Sequence, residues 1–429
     1  MGIPLRYGKK EIVVEIPERN IIWELSPNDL PAVDDERKAV ADAVSNPINS
    51  ERLSNMVKPH MNVVIIADDF TRSTPKKIIL PVILDELNRA GVSDEKITVL
   101  IGLGTHRYMT GEEIVKNFGS EVVSRVKVLN HEWMDPQNLV YVGTTTNGTP
   151  VTVNRIAYEA DFLIGVGSIV PHCWAGFSGG AKIVQPGICG PETTAATHHL
   201  IFDDDDRVLD YAGMRGNKVM EEMRAVALKA GLRFIVNAVI NSNGQLVRVV
   251  AGDPIAAHDA GIEVSRRIFV REVGKRADIV IVEAYPADLD MWQAAKPLSY
   301  SRRVVKDGGT VIFLTAAPDG ISPTHPFLAE KGQYSYQELK QMMRCDLVDD
   351  KVAGSLLMLI KKGVEGVNVL VVSDGLTKEM KWKMDMGHAD SMEDALNLAL
   401  EKHGSDATVG IIHHGGDLLP VLKERGRVS

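Results

Sequence analysis

Short runs of β-branched and other apolar residues recur through the first part of the chain, at positions 62–67, 97–101, 126–129 and 162–166. Between the first two runs, apolar residues at positions 78, 79, 82, 83 and 87 have helical spacing and predict an amphipathic helix that ends at Gly91. Short apolar strands that alternate with amphipathic helices are typical of βαβ units. The pattern therefore predicts a largely parallel sheet.

The alternation of strands and helices is interrupted once and then resumes. Two runs at 234–240 and 246–251 are separated by Asn-Ser-Asn-Gly, which predicts a hairpin, and a helix is expected over 255–270. Alternation returns with runs at 279–282, 311–314, 367–372 and 409–412. We therefore expect an α/β protein of two domains with mainly parallel sheets, residues 1–272 and 273–429. The first forty residues, with a strand near 11–16, resemble an appended unit.

The amino-acid composition argues against several classes of function. Lys and Arg number 48 against 57 Asp and Glu, and the resulting net charge of −9 argues against a nucleic-acid partner. A local basic pocket could still bind a small anion. Three widely spaced cysteines predict neither a disulfide framework nor a Cys-x-x-Cys metal site. Because we find no signal peptide or apolar membrane span, we expect a reduced, cytoplasmic protein without a membrane partner.

Polar residues that directly follow the strands are the candidates for chemistry. Open α/β sheets bind ligands beyond the carboxyl ends of their strands, and two-domain proteins bind them in the interdomain cleft, where we expect the active site. The first candidate is the turn Asp69-Phe70-Thr71-Arg72. It precedes a predicted helix N-terminus, which attracts anions, and the Arg72 guanidinium suits phosphate or carboxylate. Simple capping of that helix by Asp69 or Ser73 explains the turn equally well.

A second turn, Gly102-Leu103-Gly104-Thr105-His106, follows the run at 97–101. It lacks the third glycine of a dinucleotide-binding fingerprint. An imidazole on such a turn is positioned for proton transfer near neutral pH. For a single loop histidine, a hydrogen bond to the backbone is the more common role.

The stretch from Gly167 to Lys182 is the richest in chemistry, because it combines His172 with Gly176-Phe177-Ser178-Gly179-Gly180-Ala181-Lys182. A P-loop requires Lys directly after the glycine and then Ser or Thr. Here Ala181 precedes Lys182 and Ile183 follows it, so we reject a nucleoside triphosphatase. Lys182 lies among apolar residues and could form a covalent bond, or it could neutralise a phosphate.

Two further motifs are weaker. His198 and His199 lack the spacing of a zinc protease, although a lone imidazole can complete a metal whose other ligands come from a cofactor. Gln293 and Lys296 are three positions apart, hence on one helical face, and could clamp a carboxylate. The simpler interpretations are that the two histidines only end a helix, and that Gln293 and Lys296 lie at a solvated helix start.

In combination, these motifs resemble the nickel-dependent lactate racemase family of 2-hydroxy-acid racemases and epimerases. The resemblance covers nearly the whole chain and depends on the joint order and spacing of the motifs. It implies an isomerase that carries a nickel-pincer nucleotide, Ni(II)-pyridinium-3,5-bisthiocarboxylic acid mononucleotide, bound covalently through Lys182. His198 would be the nickel ligand, since its spacing from Lys182 matches the family better than that of His199.

The resemblance also implies roles for the remaining motifs. The nucleotide would be bound by Asp69, Phe70, Thr71 and Arg72. His106 and His172 would exchange the proton of the substrate hydroxyl, while the C2 hydrogen would move reversibly as a hydride. The residues that would hold the small-molecule 2-hydroxy acid are Arg72, Gln293 and Lys296.

Two departures from the family bear on the substrate. Lactate-type members have a Tyr before the substrate-binding Gln, where this chain has Trp292. They also carry another Trp in the second domain, whereas no Trp lies between Trp292 and Trp382. The wall of the substrate pocket is therefore expected to differ. The alternatives are a carrier that binds the cofactor without catalysis, which the paired histidines argue against, and a zinc- or pyridoxal-dependent isomerase.

Overall fold

The computed structural model describes residues 2–202 and 209–423. They form two compact units, each of which contains a six-stranded sheet. We call the unit of residues 29–201 and 213–268 the N-terminal domain. The C-terminal domain comprises residues 2–28 and 269–423, together with the described residues between 202 and 212. Within the described ranges, no helix is long and apolar enough to cross a membrane.

The strands are numbered along the described chain. They are β1 (Gly2–Tyr7), β2 (Lys10–Glu15), β3 (Ile21–Leu25), β4 (Val63–Asp68), β5 (Ile97–Gly102), β6 (Lys127–Asn130), β7 (Leu139–Thr144), β8 (Pro150–Asn154), β9 (Phe162–Ser168), β10 (Pro171–His172), β11 (Gly176–Phe177), β12 (Leu232–Ile240), β13 (Leu246–Gly252), β14 (Val270–Val273), β15 (Ala277–Glu283), β16 (Val305–Leu314), β17 (Asn368–Val372), β18 (Gly387–His388), β19 (Val409–Ile412) and β20 (Leu419–Leu422).

The helices are numbered in the same way. They are α1 (Glu36–Ser45), α2 (Leu53–Met56), α3 (Lys76–Arg89), α4 (Gly111–Phe118), α5 (Ser120–Arg125), α6 (Arg155–Tyr158), α7 (Pro191–His199), α8 (Lys218–Lys229), α9 (Ala256–Phe269), α10 (Met291–Ser301), α11 (Phe327–Lys331), α12 (Tyr336–Arg344), α13 (Lys351–Val364), α14 (Lys378–Lys383) and α15 (Met392–His403). Short 3-10 helices cover Glu18–Asn20, Asp94–Lys96, Pro136–Asn138 and Gly180–Ile183.

The sheet of the N-terminal domain has the order β13-β12-β9-β4-β5-β6. Its strands are parallel except for the hairpin β12–β13. Every residue of β4 is buried, as expected for a central parallel strand covered on both faces. Because β5 lies on one side of β4 and β9 on the other, the strand order reverses between β4 and β9. Ligands of doubly wound sheets bind at such a switch point.

The sheet of the C-terminal domain has the order β18-β17-β16-β15-β19-β3 and is parallel throughout. Its edge strand β3 comes from the start of the chain, and the apolar face of the β1–β2 hairpin packs into the same core. From the sequence, residues 1–272 are expected in one domain. The structure instead groups residues 2–28 with the C-terminal domain, because β3 pairs with β19.

The apolar runs in the sequence correspond to strands of the two large sheets, and the expected helices are α3 and α9. The α/β prediction with mainly parallel sheets is therefore confirmed. The sequence patterns do not indicate the small hairpin β7–β8 or the parallel pair β14–β20. Because neither pair adds a strand to the two large sheets, the candidate residues still follow the ends of the strands that the sequence predicts.

Candidate active site

Three loops of the N-terminal domain leave the sheet at the same edge. Strands β9, β4 and β5 are adjacent and parallel, so their carboxyl ends lie side by side at the switch point. The loop after β4 contains residues 69–72 and the loop after β5 contains His106, while His172 and Lys182 follow β9. The sheet order thus places residues 69–72, His106, His172 and Lys182 at one edge of the sheet.

A buried ion pair holds the turn after β4. Lys76 Nζ lies 2.8 Å from Asp68 Oδ1 and 3.0 Å from the carbonyl oxygen of Asp69, and the Lys76 side chain is fully buried. Helix α3 begins at Lys76 with Pro75 at its N-cap, and no side chain caps it. The interpretation in which Asp69 or Ser73 merely caps this helix is therefore wrong.

Asp69 pairs with His106 from the next loop. His106 Nδ1 lies 2.6 Å from Asp69 Oδ2, and Asp69 Oδ1 accepts the Thr71 N–H at 3.0 Å. Burial alone would raise the pKa of the Asp69 carboxyl, but His106, Arg72 and Thr71 outweigh burial and hold that pKa well below its usual range. Because Asp69 is ionised, His106 keeps a hydrogen on Nδ1, so the neutral His106 ring has its lone pair on Nε2.

The other residues of the turn are also held by specific contacts. The Arg107 guanidinium lies over the Phe70 ring, 4.4 Å from its centroid. Arg107 makes two hydrogen bonds to Glu113, and they lower the pKa of Glu113 to about 2. Arg72 donates to the carbonyl and the hydroxyl oxygens of Thr71 at 3.0 and 2.8 Å. These contacts fix the turn that carries the expected nucleotide-binding residues.

His172 lies in the small antiparallel pair β10–β11 and is buried. Its Nδ1 accepts the backbone N–H groups of Trp174 at 3.2 Å and Ala175 at 3.3 Å. Since a ring nitrogen that accepts carries no hydrogen, the neutral His172 ring has its hydrogen on Nε2. His106 and His172 are therefore held in opposite tautomers.

Trp174 connects His172 with His198. Its ring centroid lies 6.5 Å from that of His172 and 5.0 Å from that of His198, and its Nε1 donates to the His198 carbonyl at 3.1 Å. The buried indole thus joins the β10–β11 loop to α7. In the sequence, only the position of Trp174 two residues after His172 draws attention to it, and that position does not indicate a contact with α7.

Lys182 lies in the short 3-10 helix Gly180–Ile183, at the end of the glycine-rich loop. Buried polar groups hold this loop. Asn237 Oδ1 accepts the Gly180 N–H at 2.7 Å, and Ser178 Oγ accepts the Val170 N–H at 2.9 Å. A P-loop leads instead into the N-terminus of an α-helix. The local structure therefore agrees with the rejection of a nucleoside triphosphatase.

His258 of α9 packs against the same loop. Its Nε2–H donates to the Ser178 carbonyl at 2.8 Å, and a Cβ added at Gly180 would lie only 2.5–2.9 Å from atoms of its ring. Burial lowers the pKa of His258 to about 4, so the ring is neutral near pH 7. His258 thus fixes the backbone that leads to Lys182. No sequence signal indicates this role, because His258 lies within an ordinary amphipathic helix.

His198 and His199 have different environments in the last turn of α7. His199 is exposed, whereas His198 is partly buried and its Nδ1–H donates to the Thr194 carbonyl at 2.8 Å. This bond gives His198 a lone pair on Nε2, the tautomer in which an imidazole ligates a metal. In residues 2–202 and 209–423, no group of three or more His, Cys, Asp or Glu side chains could hold a metal ion. A metal at His198 would need further ligands from a cofactor.

Gln293 and Lys296 lie in the first turns of α10, which follows β15 in the C-terminal domain. Asp290 caps this helix and accepts the Gln293 N–H at 2.8 Å. The residues Gln293 and Lys296 are only 5% and 9% exposed, so the interpretation as a solvated helix start is wrong. The two side chains share one helical face, as their spacing predicts.

Two family sequence models match most of the chain. The lactate racemase N-terminal domain matches residues 7–209, and the lactate racemase C-terminal domain matches residues 273–419. A lactate racemase from Thermoanaerobacterium thermosaccharolyticum is 30% identical over 426 residues, which cover 96% of this chain and 98% of that protein. The chain belongs to the lactate racemase family. A lactate racemase from Lactiplantibacillus plantarum is likewise 30% identical over 440 residues, or 97% of this chain and 98% of the relative.

Solved structures agree with this family. The lactate racemase apoprotein from Thermoanaerobacterium thermosaccharolyticum has a TM-score of 0.85 and 28% identity, and the match covers 99% of this chain and 100% of that one. A crystal structure of a Thermotoga maritima protein has a TM-score of 0.71 and 21% identity, over 90% and 98% of the two chains, and supports the fold alone. Membership of the lactate racemase family confirms the predicted racemase, an isomerase.

Proposed function

We propose that this chain racemises or epimerises a 2-hydroxy acid by means of a nickel-pincer nucleotide bound through Lys182. The full-length relatives are named lactate racemases, which supports a small 2-hydroxycarboxylate as the substrate class. The observation that carries the proposal is the pair of imidazoles, His106 and His172, in opposite tautomers after strands on either side of β4.

Two differently protonated imidazoles suit a racemase, which must act on both enantiomers. One imidazole accepts the hydroxyl proton of one enantiomer, and the other donates a proton when the opposite enantiomer forms. His106 can accept a proton on Nε2, and the ionised Asp69 behind it stabilises the resulting imidazolium. His172 carries a hydrogen on Nε2. A carrier that only stores a cofactor has no use for either group.

The residues of the N-terminal domain fit the nickel-pincer nucleotide. His198 has the tautomer of a metal ligand, and imidazole together with sulfur suits nickel. Lys182 ends a loop held by buried hydrogen bonds and would carry the covalent link. The turn Asp69-Phe70-Thr71-Arg72 would bind the nucleotide, with the Arg72 guanidinium on its phosphate. When bound, this cofactor supplies an acceptor that takes up the C2 hydrogen with its electron pair and returns it.

Gln293 and Lys296 are proposed to hold the substrate carboxylate, together with Arg72. An amide donor and an ammonium on one face of α10 match the two carboxylate oxygens. Their low exposure strengthens such an interaction, because water screens it little. The expected position of the active site in the interdomain cleft stays a prediction.

The test is to load the purified full chain with the nickel cofactor and to follow one enantiomer of a 2-hydroxy acid by chiral chromatography. We expect the opposite enantiomer to form, and we expect Lys182→Ala to abolish both this conversion and the mass adduct on the peptide around position 182. A protein that retains nickel and the adduct but converts no 2-hydroxy acid would instead support the carrier alternative.

A further inference from the structure

A fully buried glutamine connects the loop of Lys182 to the helix of His198. Gln185 and Thr197 are both 0% exposed, and the Gln185 Nε2–H donates to the Thr197 hydroxyl oxygen. Gln185 lies three positions after Lys182. Thr197 directly precedes His198 in α7. One buried hydrogen bond therefore joins the segment that carries the proposed covalent anchor to the helix that carries the proposed nickel ligand.

The Gln185 end of this bond belongs to the same tight turn as Lys182. The Gln185 N–H donates to the Ala181 carbonyl at 3.1 Å. The Gly187 N–H donates to the Lys182 carbonyl at 3.4 Å. These two backbone bonds hold the main chain of Gln185 in a fixed relation to that of Lys182.

The Thr197 end of the bond leads to the ring of His198 through one carbonyl group. The Thr197 hydroxyl donates to the Thr194 carbonyl at 3.0 Å, within α7. The same carbonyl accepts the His198 Nδ1–H at 2.8 Å, the bond that leaves a lone pair on Nε2. Partners of this kind orient a metal-binding imidazole, and their loss typically lowers metal affinity about 10- to 100-fold. The three hydrogen bonds form a continuous path from Gln185 to the His198 ring.

Packing alone does not account for an amide at position 185. The Gln185 Oε1 atom is buried, and no group of the described residues donates a hydrogen bond to it. A buried carbonyl oxygen without a protein donor lowers stability, so a methionine of similar length would fill the position at little net cost. What methionine cannot supply is the donor to Thr197, which holds α7 against the turn of Lys182.

We propose that Gln185 is a positioning residue that holds Lys182 and the His198 ring in the relative position that the nickel-pincer nucleotide requires. A cofactor that is linked to Lys182 and whose nickel is bound by His198 has a rigid ring, so both side chains must keep one fixed relation. This inference rests on the proposed function and adds to it the residue that connects the two ends of the cofactor site.

The rate at which nickel leaves the cofactor-loaded full chain tests the proposal. EDTA is added after loading, retained nickel is measured by metal analysis of gel-filtered samples, and the Lys182 adduct is measured by mass spectrometry. We expect Gln185→Met to keep the adduct but to lose nickel at least about tenfold faster than the wild type. Thr197→Val removes the acceptor and should have the same effect, even if Gln185→Met fails to fold. Thr197→Ser keeps the hydroxyl and should stay close to the wild type.

Two comparisons separate positioning from general destabilisation. The double variant Gln185→Met/Thr197→Val should lose nickel about as fast as either single variant, because both substitutions remove the same bond. Asn20→Leu is the matched control, since Asn20 is also a buried amide whose oxygen has no donor among the described residues. Its Nδ2 instead donates to the Ser405 and Ala407 carbonyls of the C-terminal domain. Asn20→Leu should lower the midpoint of urea unfolding and leave the rate of nickel loss unchanged.

The outcomes separate this inference from the function on which it rests. Nickel loss at the wild-type rate in both Gln185→Met and Thr197→Val, or equally fast loss in Asn20→Leu, would overturn the inference and leave the racemase function intact. Multiplied effects in the double variant, or fast loss in Thr197→Ser, would overturn it as well. A wild-type chain that retains no nickel and carries no Lys182 adduct after loading would overturn the proposed function, and the inference with it.

Discussion

At the scale of single residues, the chemistry of the site depends on which ring nitrogen of each histidine carries the hydrogen. Asp69 determines this for His106, and two backbone N–H groups determine it for His172. The Thr194 carbonyl determines it for His198. Three residues of the same type are thereby suited to three tasks, which are proton acceptance, proton donation and metal ligation.

Substitution of Asp69 by Asn tests the task assigned to His106. In Asp69→Asn, the amide oxygen of the new side chain would keep accepting the Thr71 N–H, so the amide NH2 group would face His106 Nδ1. Because that NH2 group donates, Nδ1 would have to accept, and the hydrogen of His106 would move to Nε2. We expect Asp69→Asn to lower kcat for racemisation by about 10²- to 10⁴-fold, as for loss of a positioned base. Because Asp69 also lies in the turn assigned to the nucleotide, kcat is expressed per bound nickel, and the fall should persist on that basis. Ser73→Ala in the same turn should retain activity, and full activity of Asp69→Asn would refute the assignment.

The two adjacent histidines of α7 provide a second test at this scale. His198→Ala removes the imidazole whose Nδ1–H bonds to Thr194, whereas His199→Ala removes an exposed ring. We expect His198→Ala to lose bound nickel and racemisation, and His199→Ala to retain most of both. Metal analysis of the loaded proteins after gel filtration measures the difference. The opposite ranking would show that His199 is the nickel ligand.

At the scale of elements, the glycine-rich loop is held against α9 and β12. Gly180 has a φ of +54°, its N–H bonds to Asn237, and the ring of His258 occupies the space beside its Cα. Glycine is required here both for the backbone conformation and for the close approach of the imidazole. The position of Lys182 thus depends on two residues that are distant in sequence.

Gly180→Ala should therefore destabilise the protein more than an alanine substitution at a glycine that has a similar left-handed backbone but open space around it. Gly216 is the matched control, since it has a φ of +70° and no atom within 4 Å of an added Cβ. We expect each variant to lose about 1–2 kcal/mol of unfolding free energy from the left-handed conformation. Gly180→Ala should lose about 1–3 kcal/mol more from the clash and should carry less adduct on Lys182. Equal losses in urea unfolding, with equal adduct, would contradict this account of the loop.

The elements that carry the site could be predicted from the sequence, whereas their supporting contacts could not. A run such as 62–67 has a local signature, and parallel strand order then groups residues 69–72, His106, His172 and Lys182 at one edge. His258 contacts Ser178 from 80 positions away, and Trp174 contacts α7 across a loop. Such contacts depend on how helices pack on the sheet, and they leave no periodic pattern in the sequence.

At the scale of the whole molecule, the start of the chain belongs to the C-terminal domain. Strand β3 adds to the edge at β19, and the Trp23 ring lies where a Cβ on Gly410 would be. The sequence could not indicate this pairing, because a five-residue strand carries no information about which sheet it joins. The apolar pattern of residues 11–16 is real, but its partner β1 and its core lie in the C-terminal domain.

Two buried histidines of the N-terminal domain make its stability depend on pH. Burial lowers the pKa of His131 and of His258 to about 4, so between pH ~6.5 and ~4 the unfolded chain binds more protons than the folded one. Their contribution to stability is complete above this window and is lost as the pH falls through it, by up to about 1.4 kcal/mol per pH unit for each group. In urea unfolding between about pH 8 and 5, His131→Gln should show a shallower pH dependence than the wild type. Equal slopes would contradict the buried neutral state of His131.

The most direct test of the central claim is turnover of a C2-deuterated 2-hydroxy acid in ordinary water by the cofactor-loaded protein. The product is separated by chiral chromatography, and its deuterium content is measured by mass spectrometry. We expect the opposite enantiomer to form and to retain the label, because the C2 hydrogen moves with its electron pair while His106 and His172 exchange only the hydroxyl proton. Loss of the label at each turnover would contradict this mechanism, since it would mean that a side chain removes the C2 hydrogen as a proton.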